Sequence, residues 1–235
     1  ADLFGAGICV MGRSAIEITN CTIQANLNLV GSWNVHLYGG GCAFLGGNSR
    51  VVDSFLVSNS VQSSAGGAYN SFGGGIYAEV PFTLEKSVII GNKTSTGSSD
   101  CRGGGIYSTT SLLLRQALLA GNDSVLNIGD GIYLTGGLLA MTNCTVVSNT
   151  GQGVAFANGI TGVVAIANSI FWGNGDDLVN FPTNASGVVT NMRYCDVEDG
   201  DNAGINECVT NNPLFVDGIY YHLASCYFIA RGIHG

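Results

Sequence analysis

The chain reads as an all-β protein, a right-handed single-stranded parallel β-helix of about seven coils. Three observations carry that expectation. A glycine motif recurs six times: GAGIC from Gly5, GGGCA from Gly39, GGGIY from Gly73 and from Gly103, GDGIY from Gly129, and GQGVA from Gly151. A second motif follows each copy and ends in asparagine: ITNCTIQAN, VVDSFLVSN, LEKSVIIGN, LRQALLAGN, MTNCTVVSN and IANSIFWGN. Between them apolar residues alternate over short runs such as Ala15-Ile16-Glu17-Ile18, a period of two that belongs to strands, and the segments are too short and glycine-rich for helices.

Each column of the repeat then has a physical assignment. The glycines turn the chain where a Cβ would clash. Ile8, Ile76, Ile106, Ile132 and Val154 stack as core. Cys21, Ser54, Ser87, Ala117, Cys144 and Ser169 form a column of small buried residues. Asn26, Asn59, Asn92, Asn122, Asn149 and Asn174 sit at a coil corner, where asparagine tolerates the left-handed conformation and can bond to its equivalent in the next coil as an inward ladder. No single coil buries its own apolar face, so the stack is one domain over 1–235, with regular coils over 5–187 and an irregular closing coil over 188–235.

Composition narrows the function. Charged residues are 10% of the chain against about 25% in an ordinary soluble domain, and the net charge is −8 with two lysines, Lys86 and Lys93. Nucleic acid binding needs clustered cations, so that class is excluded. No window approaches the roughly 18–20 apolar residues of a membrane-spanning helix. Eight cysteines fall below the density of a disulfide scaffold, and metal spacing such as CxxC is missing.

The two motifs resemble those of right-handed parallel β-helix repeat proteins of the pectate-lyase-like superfamily, above all secreted or surface bacterial proteins with repeats of the type NCTIxxNxxxxGGGIY. They are similar, more weakly, to polymorphic outer-membrane-protein repeats. NSIFWGN (168–174), YCDVEDG (194–200), NNPLFVD (211–217) and YHLASCYFIARG (221–232) look like the family's closing coils. The resemblance implies the fold and an extracellular or cell-surface location. It implies no activity, because that superfamily holds lyases, hydrolases, adhesins and structural proteins.

Candidate chemistry is sparse. The glycine motif is not a phosphate loop, since no helix follows it. A polysaccharide lyase needs an arginine or lysine base opposite acidic residues. Aligning the coils places Glu17 beside Arg50 and Glu85 beside Arg115, which reads as cross-coil ion pairing on a solvated face. Asp196, Glu198, Asp199 and Asp201 cluster, with Asp176 and Asp177 one coil earlier, and are the candidate calcium ligands, the one cofactor the sequence offers. Tyr77, Tyr107 and Tyr133 share a column just after the core isoleucines; alternation points them outward, where stacked rings could meet sugar or a neighbouring subunit. Sequons at Asn20, Asn143 and Asn184 are glycosylation candidates, whereas those at Asn92 and Asn122 belong to the inward ladder. Cys208 and Cys226 are a candidate disulfide fastening the last coil.

The segments between each asparagine and the next glycine motif shorten along the chain, and are expected to form a ramp of loops on one side. The chain enters its first coil at Gly5 with no cap in sight, so a mature or trimmed form, or a fragment of a longer β-helix, is expected unless another subunit covers that end. The function expected is a non-catalytic extracellular or cell-surface scaffold that associates with itself, end to end into filaments. The alternative is a carbohydrate-binding or polysaccharide-cleaving β-helix, or an adhesin fragment.

Overall fold

A computed structural model describes residues 2–13, 15–31, 35–63, 70–95, 100–126, 128–182 and 189–223. They build an all-β parallel solenoid of about six turns. Three seven-stranded parallel sheets run its length. The first begins with Ile8–Val10 and Cys42–Phe44 and ends with Asp176–Val179; the second runs from Glu17–Thr19 to Val189–Arg193; the third runs from Thr22–Gln24 to Asp196–Val197.

In-register pairing makes columns out of periodicity. Ile76, Ile106, Ile132 and Val154 are fully buried neighbours, as their spacing predicts. Facing them are Val51, Leu84, Leu114, Met141 and Ile166 of the second sheet and Leu56, Ile89, Leu119, Val146 and Phe171 of the third. The columns of the three sheets join in one cluster along the stack, so the core is continuous while no coil owns one.

The left-handed corner differs from expectation. The ladder asparagines do not adopt positive φ; the residue before each one does, at Ala25 (53°), Ser58 (52°), Gly91 (63°), Gly121 (57°), Ser148 (52°) and Gly173 (66°). That residue turns the strand, and the asparagine after it is thereby aimed inward.

The ramp of loops is also replaced by structure. Leu27–Val30, Ser60–Ser63, Lys93–Ser95 and Asp123–Ser124 pair as one four-stranded sheet, and Asp2–Phe4, His36–Tyr38, Ser71–Phe72 and Cys101–Arg102 as another. The segments leave the solenoid in one strand and return in the next. Val35, Leu37 and Val61 form a small core of their own beside the solenoid, with Val30 packed on it. The strands of the first flanking sheet shrink from four residues to two, so the shortening seen in the sequence is a tapering sheet.

Candidate functional site

The asparagine ladder forms as expected. In each rung the backbone N–H and Nδ2 of one asparagine both donate to Oδ1 of the next, at 2.9–3.1 Å, from Asn26 through Asn174. The second Nδ2 proton goes to a carbonyl of the preceding coil, as from Asn59 to Ile23 O and from Asn122 to Ile89 O. Asn59, Asn92 and Asn122 are fully buried. The third glycine of each motif makes room for this ladder. A Cβ on Gly75 would lie 3.1 Å from Asn92 Cγ and 2.7 Å from Gly105 O. The sequons at Asn92 and Asn122 are therefore inaccessible. Asn20 and Asn143 are exposed turn residues with φ of 53° and 55°, and Asn184 lies outside the described residues.

Tyr77, Tyr107 and Tyr133 leave the solenoid core as alternation requires, but they do not reach solvent. They are 4%, 7% and 6% exposed. The flanking sheet folds back over them, because positive φ at Gly39, Gly73 and Gly103 bends the chain sharply between the two sheets. The rings of Tyr38 and Phe72, each one residue before such a glycine, land on the column: Tyr38 lies 4.6 Å from Tyr77 and Phe72 4.3 Å from Tyr107, centroid to centroid. Tyr77 and Tyr107 stack at 5.5 Å, Tyr107 and Tyr133 at 5.6 Å. Arg102 stands where the next ring would be, 4.8 Å over Tyr133 and bonded to its hydroxyl at 2.5 Å, with Asp100 accepting its Nε at 2.6 Å. Burial pushes the Tyr107 phenol up to about 12; burial and Glu79, which accepts the Tyr77 hydroxyl at 2.6 Å, push Tyr77 higher. The column is a second, aromatic core and offers no open stacking platform.

The acidic cluster assembles with a different membership from the expected one. Asp199 and Asp201 join Asp176, with ligand oxygens within 4.8 Å of one another. Three carboxylates at that separation fit the 2.3–2.6 Å oxygen shell of calcium. Asp196 turns away from them. It is buried under the closing segment, with Oδ1 accepting from Asn211 N at 2.9 Å and Oδ2 unpartnered among the described residues. Glu198 is spent on Gly173 N. Asp177 is buried too, and accepts from Asn174 Nδ2, Glu198 N and Asp199 N. Burial raises Asp177 and Asp196 to about 6, and the neighbouring carboxylates Asp199 and Asp177, respectively, add to this.

Among the described basic residues, Arg50, Lys93 and Arg102 have carboxylate partners. Arg50 meets Glu17 at 3.7 Å and Glu85 at 3.1 Å, so Glu85 turns to Arg50 although Arg115 stands beside it in register. Lys93 pairs with Asp123 at 2.6 Å. A shallow groove on the outer face of the second sheet is lined by Asn48, Arg50, Pro81, Thr83, Ser111 and Leu113.

The first coil presents an open edge. Its strands pair with the second coil only, among the described residues. Leu3, Met11, Ile16, Leu27 and Leu29 are 39–69% exposed there. Asn26 Oδ1 accepts no hydrogen bond from the described residues, although every later rung is filled. At the other end Asp196 pairs with Val209, and residues 198–217 close over the third sheet. Cys208 of the candidate disulfide is buried there, and Cys226 lies outside the described residues.

No family model matches the chain, and neither a curated protein nor a solved structure matches it.

Proposed function

We propose that the chain is a non-catalytic scaffold of the extracellular space or cell surface, a right-handed β-helix of the pectate-lyase-like kind, that associates with copies of itself through the face of its first coil. The observation that supports this is the coincidence on one edge of five exposed apolar side chains, unpaired strand backbone and the open Asn26 amide. An unpaired edge with apolar side chains is a template for another strand. Asn26 keeps a free Oδ1 and the Nδ2 proton that later rungs give to the coil before them, so two Asn26 amides can bond reciprocally. That arrangement is isologous and closes as a dimer; first coil to last coil would give an open filament. The closing segment over the last strands favours the dimer. Analytical ultracentrifugation tests it. The chain should sediment as a dimer, and Leu27→Lys with Leu29→Lys should return it to monomer. A monomer at high concentration overturns the proposal, and long polymers replace the dimer by the filament.

A second reading is a carbohydrate-binding or polysaccharide-cleaving β-helix, alone or as an adhesin fragment. The groove beside Arg50 favours it, and calcium at Asp176, Asp199 and Asp201 would be its cofactor. A glycan array and a lyase assay with calcium decide; the absence of both binding and turnover removes it.

A further inference from the structure

The column of small residues does not stop at Ser169. Register carries it onward: Ile170 pairs with Asp196, which sets Cys195 above Ser169, and the parallel bridge from Asp196 to Val209 sets Cys208 above Cys195. The serine and cysteine rungs share one bonding scheme, which Ala117 interrupts. The hydroxyl or thiol accepts a backbone N–H from the coil before, as Ser54 does from Cys21 N at 3.1 Å and Ser169 from Cys144 N at 3.2 Å. It donates to the carbonyl two residues earlier, as Ser54 does to Val52 at 2.7 Å and Cys195 to Arg193 at 3.2 Å. Among the described residues Cys208 is the last rung, and the one place where two cysteines are consecutive in the column.

The pair is held in place from both sides. Tyr194 N donates to Asn206 O at 3.0 Å, and Val209 N to Cys195 O at 2.8 Å. Cys195 and Cys208 are 1% and 2% exposed, and their thiols are close enough to interact. Parallel neighbours in register stand about 4.8 Å apart, inside the roughly 4.4–6.8 Å between Cα atoms that a disulfide spans.

We propose that Cys195 and Cys208, rather than Cys208 and Cys226, form a disulfide that staples the closing coil to the last strand of the third sheet. The oxidant is a low-molecular-weight disulfide such as glutathione disulfide, acting while the coil is still open. The Cys208 thiolate attacks one sulfur, the oxidant's S–S bond breaks, and one glutathione leaves and takes up a proton. The Cys195 thiolate then displaces the second glutathione. Two thiols are oxidised, one small disulfide is reduced to two thiols, and electrons balance.

The test uses the full chain, refolded in glutathione disulfide with glutathione or in dithiothreitol, then alkylated and cleaved at Glu198, Glu207 and Asp217, which separates all three cysteines. The expected product joins the Cys195 peptide to the Cys208 peptide, and dithiothreitol lowers the thermal midpoint by several degrees. Cys195→Ser keeps the fold, because serine already fills the column at 54, 87 and 169, and it abolishes both the link and the effect of reductant. Cys226→Ser leaves both intact. A Cys208–Cys226 link, or Cys195 alkylated in the oxidised, folded chain, overturns the proposal.

Discussion

Asn174 gives its side-chain amide to Asp177 Oδ1 at 2.8 Å, where every earlier rung gives it to another asparagine. Asp177 occupies the column of Gly153, Gly131 and Gly105. Those positions must be glycine because a ladder asparagine crowds them; a Cβ on Gly153 would meet Asn174 Nδ2 at 3.1 Å. No ladder asparagine follows Asn174 in the next coil, so the space is filled by a carboxylate that ends the ladder.

Acidification should therefore stabilise this end. Asp177 and Asp196 stand near 6 in the folded chain and near 4 unfolded, so the folded state holds their protons more tightly. Their contribution is present in full below about pH 4 and lost as pH rises through 6, with a ceiling near 3 kcal/mol for each. The thermal midpoint is expected to rise from pH 7 to pH 5, and Asp196→Asn should flatten the profile. A midpoint that falls over that interval contradicts the assignment.

The ladder predicts a contrast between its middle and its start. Asn122→Ala takes the acceptor from Asn92 N and one bond each from Asn92 Nδ2, Asn149 Oδ1 and Ile89 O. At about 1 kcal/mol for each of these buried bonds, and more for Asn92 N left unpaired, the loss should exceed about 3 kcal/mol. Asn26→Ala removes only the Nδ2 bond to Asn59 Oδ1, keeps the backbone N–H bond to it, and should cost about 1 kcal/mol. Urea unfolding of the two variants measures the difference, and equal losses would contradict a ladder that is filled from one side.

Ser49 sits in the column of Phe82, Leu112, Leu139 and Val164, 1% exposed, with Oγ unpartnered among the described residues. Ser49→Ala removes a buried hydroxyl without adding volume. Denaturant unfolding should show a gain of about 1 kcal/mol; a loss would mean that the hydroxyl is solvated.

The aromatic core is open to spectroscopy. Tyr77 and Tyr107 should stay un-ionised at pH 11 in the folded chain, giving an incomplete phenolate absorbance that completes on unfolding. Tyr107→Ala should cost about 3–4 kcal/mol, the usual toll of emptying an aromatic site. Full titration at pH 11 in the folded chain would place the column in solvent.

The ladder and the core columns were legible because one residue type recurs at one place in every coil, and parallel stacking in register turns recurrence into contact. The flanking strands were not legible, because 27–38, 60–72, 93–102 and 123–128 differ in length and share no motif. Yet a signal for the buried tyrosines was present: Phe4, Tyr38 and Phe72 each stand one residue before the first glycine of a motif. Alternation said correctly that Tyr107 points out of the solenoid, but it could not say that a second sheet lay outside. Cys195 escaped notice because its motif lacks the terminal asparagine by which the other rungs were aligned.

The six amides of the ladder all point the same way, each donating toward the C-terminal end. Their dipoles add, and hydrogen bonds in a chain polarise one another, so the row behaves electrically much as a helix axis does. Its positive pole lies at Asn174, where the charge of Asp177 is received. Its negative pole is Asn26 Oδ1, so the first coil presents an acceptor strengthened by the five amides behind it.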